Sequence, residues 1–171
     1  MSPIIFIALD AIIVEHRKVA FRSLLALRRF GIRYDGMLDE EYVCREVISE
    51  LNAVVTEHAP RFVLTDILDS GLRREHLHAH LHYVGLPTIA ENLDQQWRTE
   101  AHATGISTWL AKHASAQHSF AALFSEEFAE GLEESDLAKH SIFIDGRLRA
   151  HEGIQLVNAT LRHQTNRGEY A

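Results

Sequence analysis

An apolar run near the N-terminus constrains the fold of this chain most strongly. Residues 4–9 are apolar without interruption, a single carboxylate follows at Asp10, and apolar residues resume from Ala11 to Val14. A short strand that is hydrophobic on both faces is typical of the centre of a parallel sheet covered by helices. Such sheets bind ligands at their carboxyl edge, so Asp10 is the first candidate for a functional side chain.

The rest of the chain alternates strand-like apolar runs with segments of helical periodicity. We predict strands at 3–9, 61–65, 88–91, 119–124 and 141–145, and helices at 16–31, 39–58, 72–84, 99–113 and 151–163. Asp39 has the position of an N-cap for the second helix, and we expect Cys44 to be buried within that helix. The alternation predicts one α/β domain over residues 1–171, with a doubly wound parallel sheet flanked by helices.

Composition limits the classes of function. The length of 171 residues and a hydrophobic content of 46% fit one domain with a full core. A formal charge of −7 disfavours nucleic acid as a partner, because phosphate backbones require a concentrated positive surface. Apolar runs are too short for a membrane span, and a single cysteine excludes an intramolecular disulfide. We therefore expect a cytoplasmic protein.

Several short segments occur in the order typical of a known superfamily. They are Phe6 to Ala11, Leu51-Asn52, Thr65 at a strand end, Val84-Gly85-Leu86-Pro87, Ile106-Ser107-Thr108-Trp109-Leu110, and Ser125-Glu126-Glu127 after a strand. In this arrangement the chain resembles the haloacid dehalogenase-like superfamily. It is most similar to the small branch, with a minimal cap or none, that includes a domain of multi-domain RNA-repair proteins. The resemblance implies a Rossmann-like core and a phosphate-transfer ancestry.

The resemblance assigns roles to five positions. It places the nucleophile of the family at Ala8 and the general acid/base at Asp10. It implies that Thr65 binds the phosphoryl group and that Arg98 offsets phosphate charge, because His102 stands where the family usually has an arginine. A methyl group can neither attack phosphorus nor ligate a metal, so the catalytic set is vestigial.

The same resemblance implies a magnesium site at the carboxyl edge. The family uses paired aspartates after the fourth strand, and this chain has Glu126 and Glu127 there. Glutamate is longer by one methylene, whereas Mg²⁺ demands near-octahedral geometry at about 2.0–2.1 Å. We expect at most a weak Mg²⁺ site, formed by Asp10 with Glu126 or Glu127, and no other cofactor.

We expect a catalytically inactive, regulatory domain that binds a small phosphorylated ligand or a protein partner. One alternative is a Mg²⁺-dependent phosphohydrolase that uses Asp10, with help from Thr65, Arg98 and Glu126. In a related alternative, Ala8 is an engineered replacement of the catalytic aspartate in an active enzyme. Because three motifs depart from the family together, natural degeneration is favoured over a single engineered change. A homodimerising module, with helix 16–31 in the interface, is the remaining alternative.

Two further clusters are open to more than one interpretation. Helix 16–31 carries basic residues around an apolar stripe, which indicates either a solvated surface helix or a basic cap that attracts phosphate: Arg17, Lys18, Arg22, Arg28 and Arg29. The segment 75–82 carries four histidines, of which His76 with His80, or His78 with His82, can share one ion. Each pair lacks an obvious third ligand, and a surface helix with Leu72, Leu77, Leu81 and Val84 buried is the alternative.

Overall fold

The computed structural model describes residues 1–29, 41–67, 71–100, 102–114, 118–125, 132, 135–144 and 148–168. One sheet contains five strands: β1 (Ile4–Ile7), β2 (Arg61–Leu64), β3 (Leu93–Arg98), β4 (Phe120–Ser125) and β5 (Ser141–Ile144). All neighbouring pairs are parallel, in the order β3-β2-β1-β4-β5. The predicted parallel α/β sheet is therefore confirmed.

Within the described ranges, six α-helices flank the sheet: α1 (Lys18–Arg29), α2 (Arg45–His58), α3 (Arg74–Tyr83), α4 (Pro87–Glu91), α5 (Ala103–His113) and α6 (Ala150–Gly168). Short 3-10 turns occupy Leu9–Ala11, Glu15–Arg17 and Ala138–His140. None of the helices in the described ranges is long and apolar enough to cross a bilayer. The size of a cap stays a prediction, because residues 30–40 and 68–70 lie outside the described part of the chain.

Helices cover both faces of the sheet. Phe6 meets Trp109 of α5 edge-on, with ring centroids 5.4 Å apart. On β4, Leu123 packs so closely on α6 that a Cβ added at Gly153 would lie 3.0 Å from its side chain. Leu123 is in register with Ile7, the neighbour of Phe6, so these two contacts lie on opposite faces. All four residues of β1 are buried, as its unbroken apolar sequence predicts.

The strand order defines a switch point beside β1. From β1 the chain adds β2 and β3 on one side, and then returns to add β4 and β5 on the other. In open parallel sheets the connections diverge at such a point and leave a crevice outside the carboxyl ends of the strands. The residues that follow β1, β2 and β4 therefore line the expected ligand-binding edge.

The segment 88–91 was predicted as a strand, and that prediction is wrong. α3 ends in a Schellman motif, in which Gly85 has φ +86° and the Leu86 N–H donates to Leu81 O at 2.8 Å. Pro87 then occupies the first turn of α4, a position that its fixed φ favours. The third strand comes later, at 93–98. A short apolar run does not distinguish a strand from a buried helical turn.

The second helix begins later than predicted. α2 starts at Arg45, and Cys44 is its N-cap in extended conformation, half-buried instead of buried inside a helix. Asp39, the predicted N-cap, lies outside the described residues. At the other end of the chain, α6 extends past the predicted residue 163. There Gln164 accepts from the Phe120 N–H at 2.9 Å and donates to Phe120 O at 2.8 Å, which ties the last turns to β4.

Candidate functional site

Asp10 is positioned by a tight turn at the end of β1. Ala8 is still extended, and the Ala11 N–H then donates to Ala8 O at 3.0 Å, which closes the 3-10 turn Leu9–Ala11. The turn holds Asp10 at the carboxyl edge of the sheet, where it is only 7% exposed. A charged residue with so little exposure requires charged or hydrogen-bonding partners.

The neighbouring strand contributes two residues to the same edge. The Thr65 N–H donates to Ile7 O at 3.1 Å, so Ala8 and Thr65 stand at the same level on adjacent strands. The next residue, Asp66, accepts a hydrogen bond at Oδ2 from the Asp10 N–H at 2.8 Å. The ends of β1 and β2 are therefore joined through a backbone donor and a carboxylate.

Two cations from α1 close over the Asp10 carboxylate. Arg22 Nη2 donates to Asp10 Oδ1 at 2.7 Å, and Lys18 Nζ lies 3.7 Å from Oδ2. Lys18 also contacts Glu15 at 2.7 Å. The basic face of α1 thus contributes directly to the edge, as the basic-cap interpretation requires. Both oxygens of Asp10 therefore face cations, and the carboxylate is held as an ion-pair partner.

Asp66 keeps its proton to a higher pH than an ordinary aspartate does. Burial is the main cause of a raised pKa for Asp66, about 6 instead of the usual 3.8, and the charge of Asp10 acts in the same direction. Backbone N–H groups of Asp10 and Leu9 oppose this shift without cancelling it. A substantial fraction of Asp66 is therefore neutral at slightly acidic pH.

Three buried oxygen atoms at this edge have no hydrogen-bond partner among the described residues. They are Thr65 Oγ1, Asp66 Oδ1 and Ser125 Oγ, the last at the carboxyl end of β4. Leaving a buried polar atom unpaired costs roughly 1–3 kcal/mol, and such atoms are rare in native proteins. These three atoms lie at the carboxyl ends of the strands on both sides of β1, which indicates that they are available to bind a ligand.

The described part of the edge does not fit the magnesium ion that the resemblance implies. Ala8, fully buried where the family has its nucleophile, offers no oxygen donor. The oxygens of Asp10 already face Arg22 and Lys18, whose charges repel a divalent cation. Glu126 and Glu127 lie outside the described residues, so their predicted role as ligands stays a prediction.

Arg98 also lies at the carboxyl edge of the sheet, and its predicted role in offsetting phosphate charge stays a prediction. It is the last residue of β3, in register with Leu64, and its guanidinium lies 5.0 Å from the centre of the Trp97 ring. It lines a cleft of about 450 Å³ with residues of α5, a cleft that Asp10 and Thr65 do not line. His102, at the family's arginine position, is the N-cap of α5, where Nδ1 accepts from the Gly105 N–H at 3.0 Å.

Sequence reasoning missed several residues of this edge. Asp66 and Ser125 were given no role, although both stand at the carboxyl ends of predicted strands, which is a usable signal. The pairing of Lys18 and Arg22 with Asp10 had only a general signal, the basic face of a helix that follows β1. Which basic residue reaches Asp10 depends on the direction of α1, which the sequence does not fix.

Comparison with known proteins adds no relative. No protein-family model, curated protein or solved structure matches this chain. The parallel α/β fold therefore rests on the structure itself, and the resemblance to haloacid dehalogenase-like proteins rests on the motifs quoted above.

Proposed function

We propose that this chain is a non-catalytic domain of haloacid dehalogenase-like type that binds a small phosphorylated ligand at the carboxyl edge of its sheet and serves a regulatory role. The observation that carries the proposal is the state of Asp10. Its carboxylate is paired with Arg22 at 2.7 Å, and Ala8, two residues earlier in the chain, is fully buried and offers only a methyl group. An edge of this kind offers cations and hydroxyls to a phosphate and lacks, at position 8, the group that would attack it.

The charges at the edge favour an anion. Lys18 and Arg22 both approach the Asp10 carboxylate, and the raised pKa of Asp66 leaves that neighbouring residue partly uncharged at slightly acidic pH. An incoming phosphate can replace Asp10 as the acceptor of the charge-assisted hydrogen bond from Arg22. The bound phosphate would then stand beside Arg22 in place of the Asp10 carboxylate.

The unpartnered hydroxyls supply neutral donors for the same ligand. Thr65 Oγ1 and Ser125 Oγ are buried on the two strands that flank β1. A hydroxyl donates readily to a phosphate oxygen, so binding would satisfy atoms that have no protein partner in the described structure. The resemblance independently gives Thr65 the role of a phosphoryl-binding residue.

The test measures binding and turnover on the same protein. We expect inorganic phosphate to bind to the wild type in a calorimetric titration, and Thr65→Val to weaken binding about tenfold, as expected for the loss of one hydrogen bond to a charged group. Thr160→Val, a half-buried threonine on α6, is the matched control and should bind like the wild type. An aryl phosphate with Mg²⁺ should not be hydrolysed.

Other outcomes would contradict this function. Magnesium-dependent hydrolysis that Asp10→Asn abolishes would favour the alternative of an active phosphohydrolase. Absence of phosphate binding together with a dimer mass in solution would favour the homodimerising module. Equal phosphate affinity in the wild type and Thr65→Val would show that phosphate does not bind at the carboxyl edge.

A further inference from the structure

A second polar cluster lies on the surface formed by α3 and α4, away from the edge described above. His78 and His82 stand one turn apart on α3, and Glu91 is the last residue of α4. Glu91 Oε1 lies 3.4 Å from His78 Nε2 and 2.7 Å from His82 Nε2. One ligand atom from each of the three residues lies within 4.8 Å of the other two.

The structure decides between the two histidine pairs that the sequence left open. His80 is fully buried, and its ring centre lies 4.7 Å from that of Phe21 on α1, so His76 and His80 do not form an accessible pair. The rings of His78 and His82 lie 4.7 Å apart. Glu91 supplies the third ligand that this pair lacked, because 88–91 is helical.

Buried neighbours fix the backbone under all three side chains. On α3, Leu77 and Leu81 precede the two histidines and are fully buried, and on α4, Ile89 is fully buried two residues before Glu91. The Schellman motif at Gly85 joins the two helices through main-chain hydrogen bonds. The ligand side chains themselves are 41%, 42% and 61% exposed, so an ion can reach them directly from solvent.

We propose that His78, His82 and Glu91 form a binding site for a zinc-class transition-metal ion. Two imidazole nitrogens and one carboxylate suit Zn²⁺, whereas Mg²⁺ and Ca²⁺ are held by oxygen ligands. Three protein ligands leave the fourth tetrahedral position to a water molecule or to a side chain of another protein. An ion here would join α3 to α4 across the turn at Gly85.

The distances are compatible with such an ion. Metal–ligand bonds of about 2.0–2.1 Å in a tetrahedral site place ligand atoms about 3.3 Å from each other. The His78–Glu91 separation of 3.4 Å already agrees with this value. The His82–Glu91 contact of 2.7 Å has the length of a hydrogen bond, and it would open by about 0.6 Å when a metal replaces the proton.

The test uses the full chain without an affinity tag, stripped of metal by a chelator and titrated with zinc chloride. We expect the wild type to bind one zinc ion, and His82→Gln and Glu91→Gln each to weaken binding at least about tenfold. Two exposed residues outside the cluster provide matched controls, His163→Gln on α6 and Glu75→Gln on α3, which should retain wild-type affinity. Zinc should raise the melting temperature of the wild type and of both controls.

Circular dichroism of each variant establishes that it is folded before titration. Unchanged zinc affinity and stoichiometry in folded His82→Gln or Glu91→Gln would overturn the proposal. An equal loss in His163→Gln would also overturn it, since binding would then be a general property of the histidines. Failure of the wild type to bind zinc would do the same. Phosphate binding by Glu91→Gln should equal that of the wild type, which keeps this test separate from that of the proposed function.

Discussion

The carboxyl edge of the sheet and the α3–α4 surface each centre on one carboxylate, and the two carboxylates have opposite surroundings. Asp10 is 7% exposed and faces the cations Arg22 and Lys18. The Glu91 side chain is 61% exposed and faces the imidazoles of His78 and His82. Cations that surround a carboxylate can also bind another anion in its place. Imidazoles beside a carboxylate provide, together with it, a set of metal ligands. The side chains around each carboxylate are therefore the basis for proposing an anion at one region and a metal ion at the other.

The two regions also differ in how they are built. The edge consists of residues that follow buried strands, so a change there alters the core and leaves charges or hydroxyls without partners. The α3–α4 surface consists of exposed side chains on a buried backbone. Substitutions at the edge should therefore change stability, whereas substitutions at the surface should change binding alone.

The largest effect is expected for Ala8→Asp. A carboxylate placed at this fully buried position adds an unpaired charge near Asp10 and Asp66, which should lower the free energy of unfolding by roughly 3–5 kcal/mol. If Ala8 holds the nucleophile position that the resemblance gives it, the two acids form the metal-binding pair of such proteins, and millimolar Mg²⁺ should restore part of the loss. Denaturant unfolding with and without Mg²⁺ measures both effects. The neutral variant Ala8→Asn should not respond to Mg²⁺, and the same lack of response in Ala8→Asp would argue against an ancestral catalytic centre at this position.

The next comparison sets one ion pair of each region side by side. Arg22→Gln removes the charge-assisted hydrogen bond to buried Asp10 and should lower the free energy of unfolding by about 1–3 kcal/mol, with Lys18 as the remaining cation. Glu91→Gln breaks exposed contacts and should cost less than about 1 kcal/mol. Urea denaturation of the two variants at neutral pH provides the measurement. Equal losses of unfolding free energy in the two variants would contradict the proposed difference in stability between the two regions.

The pH dependence of stability tests the raised pKa of Asp66. Its folded-state pKa of about 6 exceeds the usual 3.8, so the folded state holds the proton more tightly. The stabilisation is complete below pH 3.8 and is lost as the pH rises through about 6. Asp66→Asn should remove this dependence, so its stability relative to the wild type should improve between about pH 4 and about pH 7. A constant difference between the two proteins over that range would contradict the pKa shift.

A change in stability of the opposite sign is expected for Thr65→Val. Because Thr65 Oγ1 is buried without a partner in the described structure, replacing the hydroxyl by a methyl should raise the free energy of unfolding by about 1 kcal/mol. The same change should weaken phosphate binding, so stability and function would move in opposite directions. A loss of stability in thermal unfolding would show that the hydroxyl has a partner within the protein.

Part of this structure follows from the sequence. The unbroken apolar run of β1 predicts a central parallel strand, and the rule that strand ends meet at one edge predicts that Asp10 and Thr65 approach each other. The remaining contacts join distant residues: the Asp10 N–H reaches Asp66 only because β1 and β2 are neighbours. The position of Glu91 beside His78 and His82 was not predicted, for a local reason. A short apolar segment after a proline is compatible with both a strand and a helix, and its true state depends on packing against α3.

A calorimetric titration of Arg22→Gln and Glu91→Gln with inorganic phosphate tests the central claim most directly. We expect Arg22→Gln to lose most of the phosphate affinity of the wild type, because the Arg22 guanidinium closes the edge of the sheet. Glu91→Gln, on the α3–α4 surface, should bind phosphate like the wild type. Wild-type phosphate affinity in folded Arg22→Gln, or an equal loss in both variants, would contradict the assignment of the carboxyl edge as an anion-binding site.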